Sequence, residues 1–317
     1  MTQTDGHLLD DIDHRDRPHP DPHSERHPDR RDQGDQHPGL LGSPDLRDSG
    51  EQQDPDPRRD ERARRRAEAA EWRDAFAALF DPVTFRHFEG FGVGPGWRCW
   101  EAGAGGTSVV SWLAKKVGPT GKVVATATDT SWADSPSRPP VEVRVHDVSA
   151  QDPPGEGFDL VHARLVLGRV PDRERALRSM IKALRPGGRL LVEDSDPALQ
   201  PLICPDEHGP EQELANRLRK GVRTLLTHHG IDVAHGRTLP RLLREAGLRQ
   251  VEADACFPVS SPAGAALESA TIRQVRDRLV TAGLATDHDI DRHLSHVSSG
   301  TLDLAAPALI SAWGRKA

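Results

Sequence analysis

Cysteine is scarce in this chain of 317 residues: only Cys99, Cys204 and Cys256 occur, odd in number and far apart. That spacing builds neither a disulfide framework nor a paired zinc site, so reduced thiols are expected. Long apolar runs are missing too. Nothing reaches the length of a signal peptide or a membrane span, and a soluble, cytoplasmic protein with no membrane partner is expected. A basic surplus is also lacking, with 42 Lys and Arg against 49 Asp and Glu for a formal net charge of -7.

The charge is concentrated at the front. Residues 1–60 carry 16 acids and 8 arginines, a net of -8, which leaves residues 61–317 at +1. So neutral a body lacks the basic face that neutralises phosphates, and no nucleic-acid partner is expected. Residues 1–60 also contain only six large aliphatic side chains beside eight prolines and six histidines. Ordering a chain costs about 1–2 kcal/mol per residue, more than those six can offset, so this acidic His/Asp/Pro-rich tail is predicted to be disordered. Its irregularly spaced histidines, without cysteines, predict weak nonspecific metal affinity and no metal site.

From Arg62 the composition turns to helix formers, with Trp72, Phe76, Leu79 and Phe80 at helical spacing. A helix is predicted to about Phe80, where Asp81-Pro82 breaks it, and Pro82 opens a short second helix carrying Phe85 and Phe88. Beyond the glycine-rich stretch 90–96, apolar runs alternate with amphipathic stretches, the pattern of strands and crossover helices in a mainly parallel sheet. Strands are expected at about 97–102, 122–127, 141–146, 158–163 and 189–193. Pro171 and Asp172 open a helix whose Ala176, Leu177, Met180, Ile181 and Leu184 form one apolar face. Pro186-Gly187-Gly188 ends it. Later helices are expected at about 209–228, 236–246, 263–282 and 287–298, with strands near 249–256 and 307–313. His228-His229-Gly230 reads as cations and a glycine at a helix end, not as a metal pair.

The most informative segment is E-A-G-A-G-G-T-S, residues 101–108, between the first strand and the next helix. Gly103 and Gly105 let the backbone turn beneath a ligand, and Thr107 or Ser108 is placed to cap the helix. A glycine loop alone is also compatible with a plain tight turn. The dinucleotide fingerprint G-x-G-x-x-G/A is incomplete, because Ser108 holds its sixth position. Glu101, just before the glycines, suits a cationic amino-acid ligand better than a phosphate, which favours a sulfonium cofactor.

Here the chain resembles the Rossmann-like S-adenosylmethionine-dependent methyltransferases, most clearly over residues 97–196. E-A-G-A-G-G is similar to their first motif, V-H-D-V (ending at Val148) to the third, F-D-L-V-H-A-R to the fourth and L-R-P-G-G-R-L-L to the fifth strand and its turn. The resemblance implies an α/β fold with a seven-stranded mainly parallel sheet, helices on both faces and helical insertions forming a cap. It implies a cofactor core over about 84–196 within a domain 61–317, and cap insertions over about 197–235 and 257–303 that choose the substrate. S-adenosylmethionine would be held by Glu101, Gly103, Ala104 and Gly105, by Asp147 and Val148 at the adenine, and by Ala163 beside the methyl group. One motif departs: the acid expected after the second strand is Ala127, and Asp129, two residues on, is the substitute ribose ligand.

Methyl transfer needs alignment and a dry cavity more than a base, since proximity alone supplies up to about 7–11 kcal/mol. His162, Arg164 and Asp194 are the candidate catalytic groups for an acceptor that must lose a proton. Glu193 to Asp196 form an acidic exit from a strand, with Mg2+ binding as the less favoured reading. The expected function is methyl transfer to a small-molecule acceptor. The alternatives are a non-catalytic cofactor-binding regulator and, behind it, a nicotinamide-dependent oxidoreductase. Calorimetric titration of residues 61–317 with S-adenosylmethionine, S-adenosylhomocysteine and NAD separates them: binding of the first two and not the third is expected, and the reverse would sink the reading.

Overall fold

In the computed structural model, residues 57–133 and 138–317 are described, with side chains from residue 64. Most of the predicted tail therefore lies outside the described residues. The first helix, α1 (Pro57–Phe91), already begins inside the segment expected to be disordered.

Seven strands follow, β1 (Arg98–Ala102), β2 (Lys122–Ala127), β3 (Val141–Val145), β4 (Phe158–Arg164), β5 (Leu184–Asp196), β6 (Arg249–Cys256) and β7 (Ala308–Arg315). They form one sheet in the order β3-β2-β1-β4-β5-β7-β6. β1 to β5 pair in parallel, and only β7 runs against its neighbours β5 and β6. The expected α/β architecture with a mainly parallel sheet is what the chain adopts.

Because successive side chains in a strand point to opposite faces, the buried strands supply two cores. On one face Cys99, Val123, Leu160 and Leu191 meet Phe88 of α1 and Val110, Leu113 and Val117 of α2 (Ser108–Val117). On the other, Trp100, Val124, Val161 and Leu190 meet Leu177 and Met180 of α3 (Arg173–Ala183), and Leu239 and Leu243 of α5 (Leu239–Glu245). The insertions add α4 (Pro210–His228), α6 (Pro262–Thr281) and α7 (Asp287–Ser299), with a core of their own in which Leu218 and Leu225 meet Ile272, Val275 and Ile290.

The predicted break at Asp81-Pro82 does not occur: Pro82 lies inside α1, which continues to Phe91. An interior proline costs about 3 kcal/mol, and anchors on both sides of it hold the helix straight through. Below it, Trp72 stacks on Phe76 at 4.9 Å, and Phe76 meets Phe80 at 4.6 Å. Above it, Phe85 stacks on Trp112 at 5.0 Å, and Phe88 has no exposed surface. Asp81 itself is fixed by Arg164 Nη2 at 2.8 Å. Tertiary packing overrides the local signal.

Phe88→Ala should therefore loosen α1 from the sheet. A loss of about 3–5 kcal/mol in unfolding free energy is expected from denaturant titration, and a change below 1 kcal/mol would refute this account of the helix.

Candidate functional site

The loop between β1 and α2 turns at Gly103, whose φ of 71° a side chain rarely adopts, and an added Cβ there would lie 2.5 Å from Val166 Cγ2. The Ala104 amide donates to the Thr126 carbonyl at 2.8 Å, which ties the loop to the end of β2. Space over Gly105 and Gly106 is open, with nothing within 4 Å of a Cβ built at either. Thr107 is the N-cap of α2, yet its side chain makes no capping bond, contrary to the expected cap. The early amides of that helix are thus left for other acceptors.

Glu101 is buried below this loop and does not point freely at a ligand. His162 Nδ1 donates to its Oε2 at 2.6 Å, and His162 Nε2 donates to Glu193 Oε2 at 3.2 Å. Glu193 also accepts from Thr84 Oγ1 at 2.5 Å and Ser311 Oγ at 2.7 Å. Burial disfavours a charged imidazole, but the two carboxylates outweigh it and raise the His162 pKa to about 9. Burial would likewise raise the Glu193 carboxyl, and the His162 hydrogen bond and charge, with Arg164, hold it below its ordinary value. With no exposed surface and both nitrogens engaged, His162 is a structural cation. Arg164 is occupied similarly, by Asp81 at 2.8 Å and Thr84 Oγ1 at 3.1 Å. These placements correct the expectation that His162 or Arg164 stands ready beside an acceptor.

The remaining cofactor positions divide. Asp147 accepts through Oδ1 from the Ser149 amide at 2.8 Å and the Ser149 hydroxyl at 2.7 Å, which closes its turn, with Val148 buried beside it. Ala163 is buried at the end of β4. Ala127 ends β2, also buried, with no acid. Asp129 accepts from the Ser131 amide and hydroxyl, both at 2.8 Å, closing its own turn. The open loop and the Asp147 turn are compatible with the methionine and adenine ends of the cofactor that the resemblance implies, and Ala127 stands where it implies an acid for ribose.

Glu193 to Asp196 split between the sheet faces as the strand alternates. Asp194 Oδ2 accepts from the Gly168 amide at 3.0 Å and lies 3.7 Å from His235 Nε2. Burial pushes the Asp194 carboxyl up to about 6, partly offset by the Gly168 bond and by Arg169 and Arg173. Burial, then the charge of Arg173, pushes His235 down to about 4, so it is neutral. Asp196 is gripped by Arg237 Nε at 2.8 Å and Nη2 at 2.6 Å. Among the described residues, no group of three or more His, Cys, Asp or Glu is placed to hold a metal ion. None of the described helices is long and apolar enough to cross a membrane.

A cavity opens at the carboxyl ends of β4 and β5, lined by Leu165 and Ser195. Its walls are Trp72, Phe76 and Phe80 of α1 and the facing sides of α4 and α6. A smaller pocket holds Asp194 and His235 and shares Ser195, Pro197 and Leu226 with the large one. Leu165 joins loop and cavity: it adopts φ 58°, its amide donates to the Glu193 carbonyl at 2.7 Å, and the next residue, Val166, packs on Gly103. Sequence reasoning missed the aromatic wall, reading its i, i+4, i+8 spacing only as a packing face.

A methyltransferase-domain family model matches residues 57–253, more than half of the chain. The chain belongs to this family of S-adenosylmethionine-dependent methyltransferases. It is 26% identical over 211 residues to an uncharacterised 37.1 kDa protein in transposon Tn4556 of Streptomyces fradiae, covering 65% of this chain and 59% of that one. It is 35% identical over 120 residues to the ubiquinone/menaquinone biosynthesis C-methyltransferase UbiE of Vibrio parahaemolyticus, covering 35% of this chain and 46% of that one. The chain thus spans about half the length of these relatives. Among solved structures, phosphoethanolamine N-methyltransferase 2 of Haemonchus contortus matches with a TM-score of 0.42 and 12% identity, over 71% of this chain and 50% of that one. Membership of the methyltransferase family supports S-adenosylmethionine over the nicotinamide alternative.

The buried charge row makes a pH prediction. His162 has a folded pKa of about 9, above the unfolded value of about 6.5. Its contribution is therefore complete below about pH 6.5 and lost as pH rises through about 9, a decline of about 2–4 kcal/mol. Glu193 acts oppositely, with a contribution present above the usual carboxylate range and lost as pH falls below it. Unfolding free energies at pH 6.5 and 10 should show the alkaline decline in the wild type and not in His162→Gln.

Proposed function

We propose that this protein transfers a methyl group from S-adenosylmethionine to a small apolar acceptor held in the cavity beneath α4 and α6. The observation carrying the reading is the β4 exit, where Val166 packs on the glycine loop and Leu165 faces the cavity. When bound, the cofactor supplies an electrophilic methyl on a sulfonium that departs as a neutral thioether. Gly103, Ala104 and Gly105 would hold its methionine part, with Glu101 fixed below them by His162. Asp147, Val148 and Ala163 would line the adenine and methyl side. Asp129 would have to reach ribose while keeping its Ser131 turn, from two residues beyond Ala127, so weak cofactor affinity belongs to the same reading. That point also favours the second reading, a non-catalytic cofactor binder.

The chain's own part is to align the acceptor and exclude water. The aromatic wall supplies the apolar bed, and the insertions 197–235 and 257–303 act as the cap that selects the acceptor over the core 84–196. For a hydroxyl acceptor, Asp194 is the proton-accepting group: it lines the adjoining pocket, and burial sets its pKa near neutrality. A cytoplasmic setting is part of the proposal, supported by the free thiols of Cys99, Cys204 and Cys256.

The test is transfer of a labelled methyl group into an apolar small-molecule extract. Transfer should rise as pH increases through about 6, the Asp194 value, and Asp194→Asn should lower the rate about 100-fold with little change in cofactor binding. Cofactor binding without any transfer would leave the non-catalytic reading in its place.

A further inference from the structure

One face of each of three helices closes on the large cavity. α1 contributes Trp72, Phe76 and Phe80, α4 contributes Arg219, Val222, Arg223 and Leu226, and α6 contributes Leu267, Glu268 and Thr271. Spacings of three and four residues put each set on one side of its helix.

Within these largely apolar walls sits a buried cation. Arg219 is 5% exposed; its Nη2 donates to the Ala305 carbonyl at 3.1 Å and lies 3.8 Å from Glu268 Oε2. Its Nη1 is buried and has no hydrogen-bond partner. Glu268 is drawn the other way by His293 Nε2, which donates to Oε1 at 3.0 Å. Arg223, one turn along α4, adds a second guanidinium to the lining, with its Nη1 donating to the Pro201 carbonyl at 3.3 Å. Two guanidiniums against one carboxylate give the lining a net positive charge. A buried guanidinium N–H left unpaired is costly, and a charged oxygen relieves it best.

We infer that the cavity takes an apolar molecule bearing one anionic oxygen, a carboxylate, phenolate or enolate, which accepts from Arg219 Nη1. This rests on the methyl-transfer reading, with that molecule as the acceptor. The apolar body lies along Trp72, Phe76 and Phe80, and the oxygen is directed to the α4 side. Arg219 thereby selects among apolar molecules: a neutral oxygen accepts from it more weakly than a charged one, and a cationic molecule is repelled. A phenol or enol bound there is stabilised in its ionised form, the form whose oxygen and adjacent carbons are nucleophilic.

The full chain is titrated with 2-naphthoate, neutral 2-naphthylmethanol and cationic 2-naphthylmethylamine, with S-adenosylhomocysteine in parallel. Naphthoate should bind at least about tenfold more tightly than the alcohol and the amine more weakly than either. In Arg219→Met the preference for naphthoate over the alcohol should vanish while the alcohol still binds. Val222→Trp, which fills the cavity from the same helix face, should abolish binding of all three probes and keep S-adenosylhomocysteine binding. It locates the probes even where Arg219→Met fails to fold. Equal affinity for naphthoate and the alcohol in the wild type, or probe binding undiminished in Val222→Trp, overturns the inference. Binding of S-adenosylhomocysteine alongside equal probe affinities would sink the anchor and spare the methyl-transfer reading. Its failure to bind, with the naphthoate preference intact, would sink the methyl-transfer reading and spare the anchor.

Discussion

A protonated imidazole held between two carboxylates in the middle of the sheet is the constraint on which the site depends. Glu101, His162 and Glu193 stand on β1, β4 and β5, on the α1 side, one step beyond the apolar row Cys99, Leu160 and Leu191. Burying three ionisable groups is tolerable only when each is paired and the spare oxygens are satisfied, as Thr84 and Ser311 do for Glu193. The row joins β1, β4, β5, β7 and α1 through polar contacts whose geometry tolerates little slippage. Glu101 directly precedes the glycine loop, so a shift anywhere in the row is felt where the cofactor is expected. A purely apolar row would pack as well without fixing that register.

The same row explains why α1 is one helix. Thr84 must reach Glu193 and Asp81 must reach Arg164, while Trp72, Phe76 and Phe80 stand against α6. Asp81 and Thr84 flank Pro82, so a break there would separate the groups that hold the two halves in place. Local propensity weighs one missing hydrogen bond. The folded chain weighs it against two buried polar contacts and an aromatic stack.

Strands, crossover helices and the glycine loop were legible in the sequence because each follows from a short-range pattern: short apolar runs at β1 to β5, a 3.6-residue period at α3, glycines at a sharp turn. Beyond Pro197 the signal was weaker, though the later helices and β6 lie near their expected positions. What stayed hidden was pairing across distance. No local signal distinguishes Arg219 from the chain's many other arginines, and its importance appears only once α4 turns it toward an apolar wall built 140 residues earlier. Glu101 was read as a ligand of the cofactor's cationic end, since the sequence shows its place before the glycines but not its neighbour His162, 61 residues away. Asp129 was a plausible ribose ligand by position. Its carboxylate also closes a turn on Ser131, two residues away, as that of Asp147 does on Ser149.

The cavity and the glycine loop meet where the chain leaves β4. Leu165 holds φ 58°, a conformation costing a branched side chain about 1–3 kcal/mol. Its amide stays in the ladder, bonded to the Glu193 carbonyl, while its side chain leaves the sheet for the cavity. A residue in ordinary extended geometry would have continued the strand, and Val166 would not meet Gly103. The twist therefore does two things at once: it presses the chain after β4 against the glycine loop and gives the cavity a wall at the same strand end. Leu165 on the cavity and Val166 on Gly103 are adjacent residues, so the cavity wall and the glycine loop cannot shift independently at this strand end.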